Sequence, residues 1–254
     1  MTKLFLVVGG SGFVGQALVM SLLNEGHEVA ATYHTNPPNA SVLKNSKLSQ
    51  ATWISCDVRN PDGRRNLREY LKNLQRPLDG VAVTVGKTSE TIKKNNSDRL
   101  NFYRSFEGTE DETAAWMDEA FNVHGKGTYL TIKETIPLLQ KAANPNIVIT
   151  GSLIGHKAVN TPVAYAATKA CTRGLVEALS KDLGEFNIKV NSVDPGMLEQ
   201  GASSLISDQL KREYLKHCSL RRLGKAEEVA NVMTYFLDEN TYVTGQSILL
   251  DGAL

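Results

Sequence analysis

An α/β fold built on a doubly wound, seven-stranded parallel sheet is what this sequence predicts, and three observations predict it. Apolar runs of strand length alternate with helical patterns along the 254 residues, and parallel neighbours need such crossovers. The first run passes straight into glycines and then into an amphipathic pattern. The remaining motifs fall at the ends of the apolar runs or just beyond them, where an open parallel sheet binds its ligands, at the point where the strand order reverses.

The elements follow in order. Strands are expected at Leu4–Val8, Glu28–Tyr33, Thr52–Ser55, Val81–Val85, Ile147–Thr150, Lys189–Val193 and Ser247–Leu250. The first leads into Gly9-Gly10-Ser11-Gly12-Phe13-Val14-Gly15. After it Val14, Leu18 and Leu22 recur every four residues, a helix that Gly26 would end. Strand, glycine turn and helix form the first half of a dinucleotide site: glycine lets the backbone turn tightly and approach a pyrophosphate, whose charge sits against the N–H groups of the helix start. This is the Rossmann arrangement.

Between the fifth and sixth strands, Tyr165 and Lys169 stand four residues apart, which on a helix puts phenol and ammonium on one face. A free phenol titrates near pH ~10, and a nearby cation eases loss of its proton. Ser152, thirteen residues before Tyr165 and just past the fifth strand, can bring a hydroxyl to the same place. A Tyr-x-x-x-Lys spacing on its own is common on solvated faces, and its company is what gives it weight.

These residues resemble the short-chain dehydrogenase/reductase family along nearly the whole chain. The likeness includes the glycine turn, Ser152, Tyr165-x-x-x-Lys169, Asp57-Val58 after the third strand, Asn122 in Phe-Asn-Val-His-Gly125, and Asn191-Ser-Val-Asp-Pro195-Gly196. Leu220-Arg-Arg-Leu-Gly224, Tyr242-Val-Thr-Gly-Gln246 and Leu250-Asp-Gly252 are similar to its small single-domain branch, especially 3-oxoacyl-acyl-carrier-protein reductases. The resemblance implies hydride transfer between nicotinamide and a carbonyl carbon. Tyr165 would be the general acid, Lys169 would set its acidity and hold the nicotinamide ribose, Ser152 would orient the carbonyl, and Asn122 would extend a proton relay through water. Gly9, Ser11, Gly12, Phe13, Val14 and Gly15 would hold the phosphates, and Asp57 and Val58 would lie beside the adenine. Gly86, Pro195 and Gly196 would lie beside the nicotinamide.

Cofactor choice is read at the end of the second strand, Tyr33-His34-Thr-Asn36. An acidic side chain there would bind the NAD ribose and repel a 2′-phosphate. None is present, so NADP(H) is expected over NAD(H), with His34 and Asn36 as acceptors of the phosphate and no arginine placed for it. Three departures from the family pattern touch the cofactor. The Gly9-x-x-Gly12-x-x-Gly15 spacing is that of the larger epimerase-like branch, Val83-Thr-Val-Gly86 replaces the usual Asn-Asn-Ala-Gly, and Gln200 stands where a threonine is usual.

The substrate is expected to be a small carbonyl compound, carried on an acyl carrier protein or CoA, with a free ketone, alcohol or sugar as the alternative. Arg221, Arg222 and Lys225 would meet an acidic carrier, yet Glu185-Phe-Asn187 is not basic. Two segments stand out: the polar stretch 87–112 with Leu100, Phe102, Tyr103 and Phe106, a surface excursion or a pocket-shaping loop, and Met197 to Cys218, with Leu205, Ile206, Leu210 and Tyr214, resembling the family's mobile lid. Ala164, Ala166, Ala167, Ala170 and Ala178 would let the Tyr165 helix pack closely in a homodimer or homotetramer.

Length suits one domain over residues 1–254. A hydrophobic content of 41%, a charged content of 22% and a net charge of +1 are ordinary, with no reason to expect nucleic acid or membrane as partners. No signal peptide or membrane span is read. Cys56, Cys171 and Cys218 read as reduced thiols of a cytoplasmic protein, and no Cys/His cluster has metal-ligand spacing, so no metal is expected. A nucleotide-binding regulator would show a broken catalytic set, whereas all four residues are present. A hydrolase would need Gly-x-Ser-x-Gly, which Thr150-Gly-Ser-Leu-Ile-Gly155 does not supply.

Overall fold

A computed structural model describes residues 2–38, 43, 46–86, 109–159, 161–201, 203 and 206–254. The stretch from 87 to 108, with its aromatic residues, and Leu205 lie outside them.

Seven parallel strands form one sheet: β1 (Leu4–Val8), β2 (Glu28–Tyr33), β3 (Thr52–Ser55), β4 (Gly80–Val83), β5 (Asn146–Thr150), β6 (Lys189–Pro195) and β7 (Ser247–Leu250). Their spatial order is β3-β2-β1-β4-β5-β6-β7, so the order reverses between β1 and β4. This is the doubly wound Rossmann-like sheet expected from the sequence. Among the described residues the helices are α1 (Phe13–Asn24), α2 (Arg65–Asn73), α3 (Glu110–Phe121), α4 (Thr128–Leu139), α5 (Val163–Asp182), α6 (Asp208–His217) and α7 (Ala226–Asp238).

The strands are apolar without alternation because both faces are covered. Leu6, Val8, Val81, Ile147 and Ile149 meet Leu67 of α2, Ile132 of α4 and Val176 of α5 on one face. The intervening Phe5, Val7, Ala82 and Val148 meet Leu18 and Leu22 of α1 and Met233 and Leu237 of α7 on the other. Each fully buried Leu or Phe stabilises the fold by about 1.5–3 kcal/mol relative to exposure, so the two layers hold the strand ends in fixed register.

Three boundaries differ from the sequence expectation. β4 begins at Gly80 and ends at Val83, because Thr84 turns its hydroxyl onto the Val8 and Gly9 carbonyls, at 3.0 Å each. β5 takes in the polar Asn146, whose buried amide donates to the carbonyls of Asn144 and Asn240. β6 runs on to Pro195, which pairs with Leu250. The end of the polar stretch 87–112 is helical: Thr109 and Glu112 form a capping box that starts α3.

Candidate active site

The chemistry-bearing residues collect at the carboxyl edge of the strands. After β1, Gly9 takes φ +85° and its carbonyl accepts the Gly12 N–H at 3.0 Å. A Cβ on Gly15 would overlap the Gly9 carbonyl and lie 2.8 Å from Gly10 Cα, so helix and turn touch where only glycine fits. Gly12 caps α1 with no side-chain bond, leaving the positive end of the helix dipole over the strand edge. Gln16 reaches back to the Ser11 carbonyl at 2.8 Å, Val14 packs on the core, and the exposed Phe13 lies against Gly201. Thr84, in place of the expected asparagine, ties β4 to this turn, so that departure from the family pattern is compensated locally.

At the ends of β2 and β3, Asp57 accepts two hydrogen bonds from Arg59 Nε, at 2.9 and 3.0 Å, and one from Arg59 Nη2 at 2.8 Å, while His34 Nε2 lies 3.4 Å from the same carboxylate. The guanidinium holds the carboxyl below its ordinary range. Arg59 comes from the loop after β3, not from the end of β2, and is paired there with Asp57 and Glu119. Tyr33 ends β2, and Val58 is buried where Gly127 crosses it.

Ser152 lies two residues beyond β5, buried, and caps the short turn Leu153–Gly155 by accepting the Ile154 N–H at 3.2 Å. The capping role that a serine at a strand end can take is thus filled here. The same hydroxyl acts on the Tyr165 phenol, against the effect of burial on it. Tyr165 and Lys169 share a face of α5; Lys169 Nζ sits 5.7 Å from the phenol ring centroid and donates to the Thr150 carbonyl at 3.3 Å. Burial pushes the ammonium down to about 8, against the upward pull of Asp194. Burial pushes the Tyr165 phenol up, and the Ser152 hydroxyl opposes that effect. Lys169 lies over the ring, engaged with Thr150, and not at the hydroxyl.

Asn122 opens a π-turn, Asn122–Gly127, that bends the chain between α3 and α4. π-Turns inside helices recur at functional sites. From this turn the buried His124 meets the Tyr165 ring edge-on, centroids 5.8 Å apart, and its Cε1 lies 3.9 Å from where a Cβ on Gly86 would stand. His124 thus joins β4, the π-turn and α5; it stood in the Asn122 segment and sequence reading passed over it. Gly196 and Met197 follow β6, and Tyr214 of α6 accepts the Met197 N–H at 3.0 Å. Gln200 is exposed there, its carbonyl 3.3 Å from Ser203 Oγ.

Two other features bear on the expectations. Arg222 is paired with Glu228 at 2.8 Å, and the same carboxylate accepts the Lys225 backbone N–H, so one of the three cations of that run is engaged. Glu25, His27 and Asp238 bring ligand atoms within 4.8 Å of one another, but at the opposite edge of the sheet, where Asp238 already binds Lys3 at 2.6 Å. Among the described residues no helix is long and apolar enough to cross a membrane.

A glycine turn at the reversal point, with a serine, tyrosine and lysine gathered at the end of β5, has the form of a dinucleotide-dependent oxidoreductase site. The sequence model of the family described as enoyl-(acyl carrier protein) reductase matches residues 11–254, and the chain belongs to the short-chain dehydrogenase/reductase family of oxidoreductases. It is 29% identical to the 3-oxoacyl-acyl-carrier-protein reductase of Thermotoga maritima over 253 residues, covering 99% of this chain and 97% of that protein. With the enzyme of the same name from Staphylococcus epidermidis it shares 27% over 258 residues, 100% and 99% of the two chains. A short-chain dehydrogenase of Leptospira borgpetersenii, solved with bound NAD+, superposes with a TM-score of 0.78 at 26% identity, covering 100% of this chain and 92% of that one.

Proposed function

We propose that this chain is an NADP(H)-dependent carbonyl reductase, one catalytic domain over residues 1–254, acting on a 3-oxoacyl thioester. The convergence of Ser152, Tyr165 and Lys169 at the strand edge that also bears the glycine turn carries the reading. The turn fits a dinucleotide: its glycines leave the space that any Cβ would fill, and the uncapped start of α1 suits a pyrophosphate. Gly9, Ser11, Gly12, Phe13, Val14 and Gly15 hold the phosphates. Tyr33, His34, Asp57 and Val58 line the adenosine end, and Gly86, Pro195 and Gly196 the nicotinamide end. When bound, the nicotinamide supplies the hydride.

Ser152 donates its hydroxyl to the substrate carbonyl while accepting the Ile154 N–H, which fixes its orientation. Tyr165 gives its proton to the same oxygen as negative charge develops there. Burial raises the phenol above its ordinary range, which keeps it protonated as a proton donor must be. Lys169 places a positive charge under the phenol and holds the ribose, and Asn122 continues the proton path through water.

NADP(H) preference rests on the missing carboxylate after β2 and on Arg59 and His34 beside it. Arg59→Ala is expected to weaken NADPH binding about tenfold, the scale of one charged hydrogen bond, and to leave NADH unchanged in parallel fluorescence titrations. Equal weakening of both would remove Arg59 from phosphate recognition.

The thioester part is tested by NADPH consumption with acetoacetyl and longer 3-oxoacyl thioesters. A free ketone, alcohol or sugar is the second reading, favoured by the pairing of Arg222 with Glu228, which engages one of the charges that would meet an acidic carrier. A homodimer or homotetramer belongs to the same proposal, since Ala170, Gly174 and Ala178 lie exposed on α5. A sedimentation mass of one chain at every concentration would exclude it. The free thiols Cys56, Cys171 and Cys218 favour a cytoplasmic setting.

A further inference from the structure

Asp194 is an aspartate inside the buried part of β6, with 3% of its surface exposed. An isolated buried carboxylate is strongly disfavoured unless charge and hydrogen bonds compensate it. One oxygen, Oδ2, is taken by His156 Nε2 from the turn after β5. The other, Oδ1, is buried with no hydrogen-bond partner among the described residues. It is pressed against Gly151, where any Cβ would overlap it. Gly151 lies between Thr150, whose carbonyl holds Lys169 Nζ at 3.3 Å, and Ser152. The carboxylate therefore stands one residue from both the lysine's acceptor and the serine hydroxyl.

We propose that Asp194, oriented by His156, is the positioning counter-charge that keeps Lys169 an ammonium in this buried site; the functional meaning rests on the reductase reading above. Neither residue touches the reacting atoms. The titratable groups facing this corner are Tyr165 of α5, His156 of the post-β5 turn, Asp194 of β6 and His124 of the π-turn, with Cys171 further along α5 against Gly125. Of these, Asp194 is the one whose charge opposes the effect of burial on Lys169. The sign follows: an anion favours the ammonium, so its removal lowers the pH at which Lys169 loses its proton. Turnover that needs the ammonium is lost as pH rises through that point, and it is lost sooner without Asp194.

The test reads Lys169 directly, by the carbon resonance of protein labelled with 13C at lysine Cε, the signal being assigned by its loss in Lys169→Met. Asp194→Asn, which keeps shape and removes charge, is expected to lower the Lys169 midpoint by about one to three pH units. The alkaline limb of kcat/KM moves the same way. His156→Ala is expected to lower the midpoint by less, and His156→Gln, which keeps an N–H donor, to restore it. An unmoved midpoint in folded Asp194→Asn overturns the proposal. Should that variant not fold, the His156 pair decides on the same terms: a midpoint lowered in Ala and recovered in Gln supports it, and one unmoved in Ala, or lowered equally in both, overturns it. Because the resonance reports protonation and not turnover, failure of this proposal is separable from failure of the reductase reading.

Discussion

Tyr165→Phe is expected to bind NADPH as the native protein does and to lose turnover by about 10²- to 10⁴-fold, the range supplied by a positioned general acid. The substitution removes one oxygen atom. The ring keeps its edge contact with His124 and its place over Lys169, so neither folding nor the glycine turn is disturbed. What is lost is the proton donor. The loss should fall on kcat and kcat/KM together, because proton donation belongs to the transition state and not to substrate binding. Undiminished activity would remove Tyr165 from the acid's role.

Gly15→Ala should act on the other half of the site. The added methyl overlaps the Gly9 carbonyl and meets Gly10 Cα at 2.8 Å, both of them backbone, so neither can swing aside as a flexible side chain would. The turn must open or α1 must move away from it. Either motion withdraws backbone N–H groups from a bound pyrophosphate, each charged hydrogen bond being worth about 1.5–3 kcal/mol, or roughly a 10- to 150-fold loss in nucleotide affinity. The fluorescence titration with NADPH measures it. A thermal unfolding curve taken alongside separates lost binding from lost folding, and unchanged affinity in a folded variant would mean that the pyrophosphate does not lie on this turn.

Much of the fold is legible in the sequence because a doubly covered parallel sheet writes continuous apolar runs. Leu4–Val8 and Glu28–Tyr33 can be bounded from composition alone, since each is buried almost throughout and ends at a polar turn. Boundaries fail where a polar residue is buried by long-range bonding. Asn146 belongs to β5 because of Asn240, far along the chain, and Thr84 leaves β4 to serve the turn after β1. The start of α3 was readable and went unread: Thr109 followed three residues later by Glu112 is a capping box in plain view.

The Tyr165 and Lys169 pair is visible because both lie on one helix, and the glycine turn because it opens a strand-to-helix unit. The partners that adjust them come from elsewhere in the chain. His124 reaches Tyr165 from a bend between two helices, Arg59 reaches Asp57 from the loop after β3, and Asp194 and His156 meet across two neighbouring strand ends. No periodicity announces such contacts. The Asp194–His156 contact exists once β5 and β6 are in register, with Thr150 opposite Val193.

The most direct test of a carbonyl reductase is the fate of the transferred hydrogen. With NADPH carrying deuterium at both C4 positions and a 3-oxoacyl thioester as substrate, mass spectrometry of the alcohol should find one deuterium on the carbinol carbon. The label should appear with the native protein and at a greatly reduced rate with Tyr165→Phe. Formation of an unlabelled alcohol, or no alcohol from any thioester or free ketone while NADPH remains bound, would contradict the account.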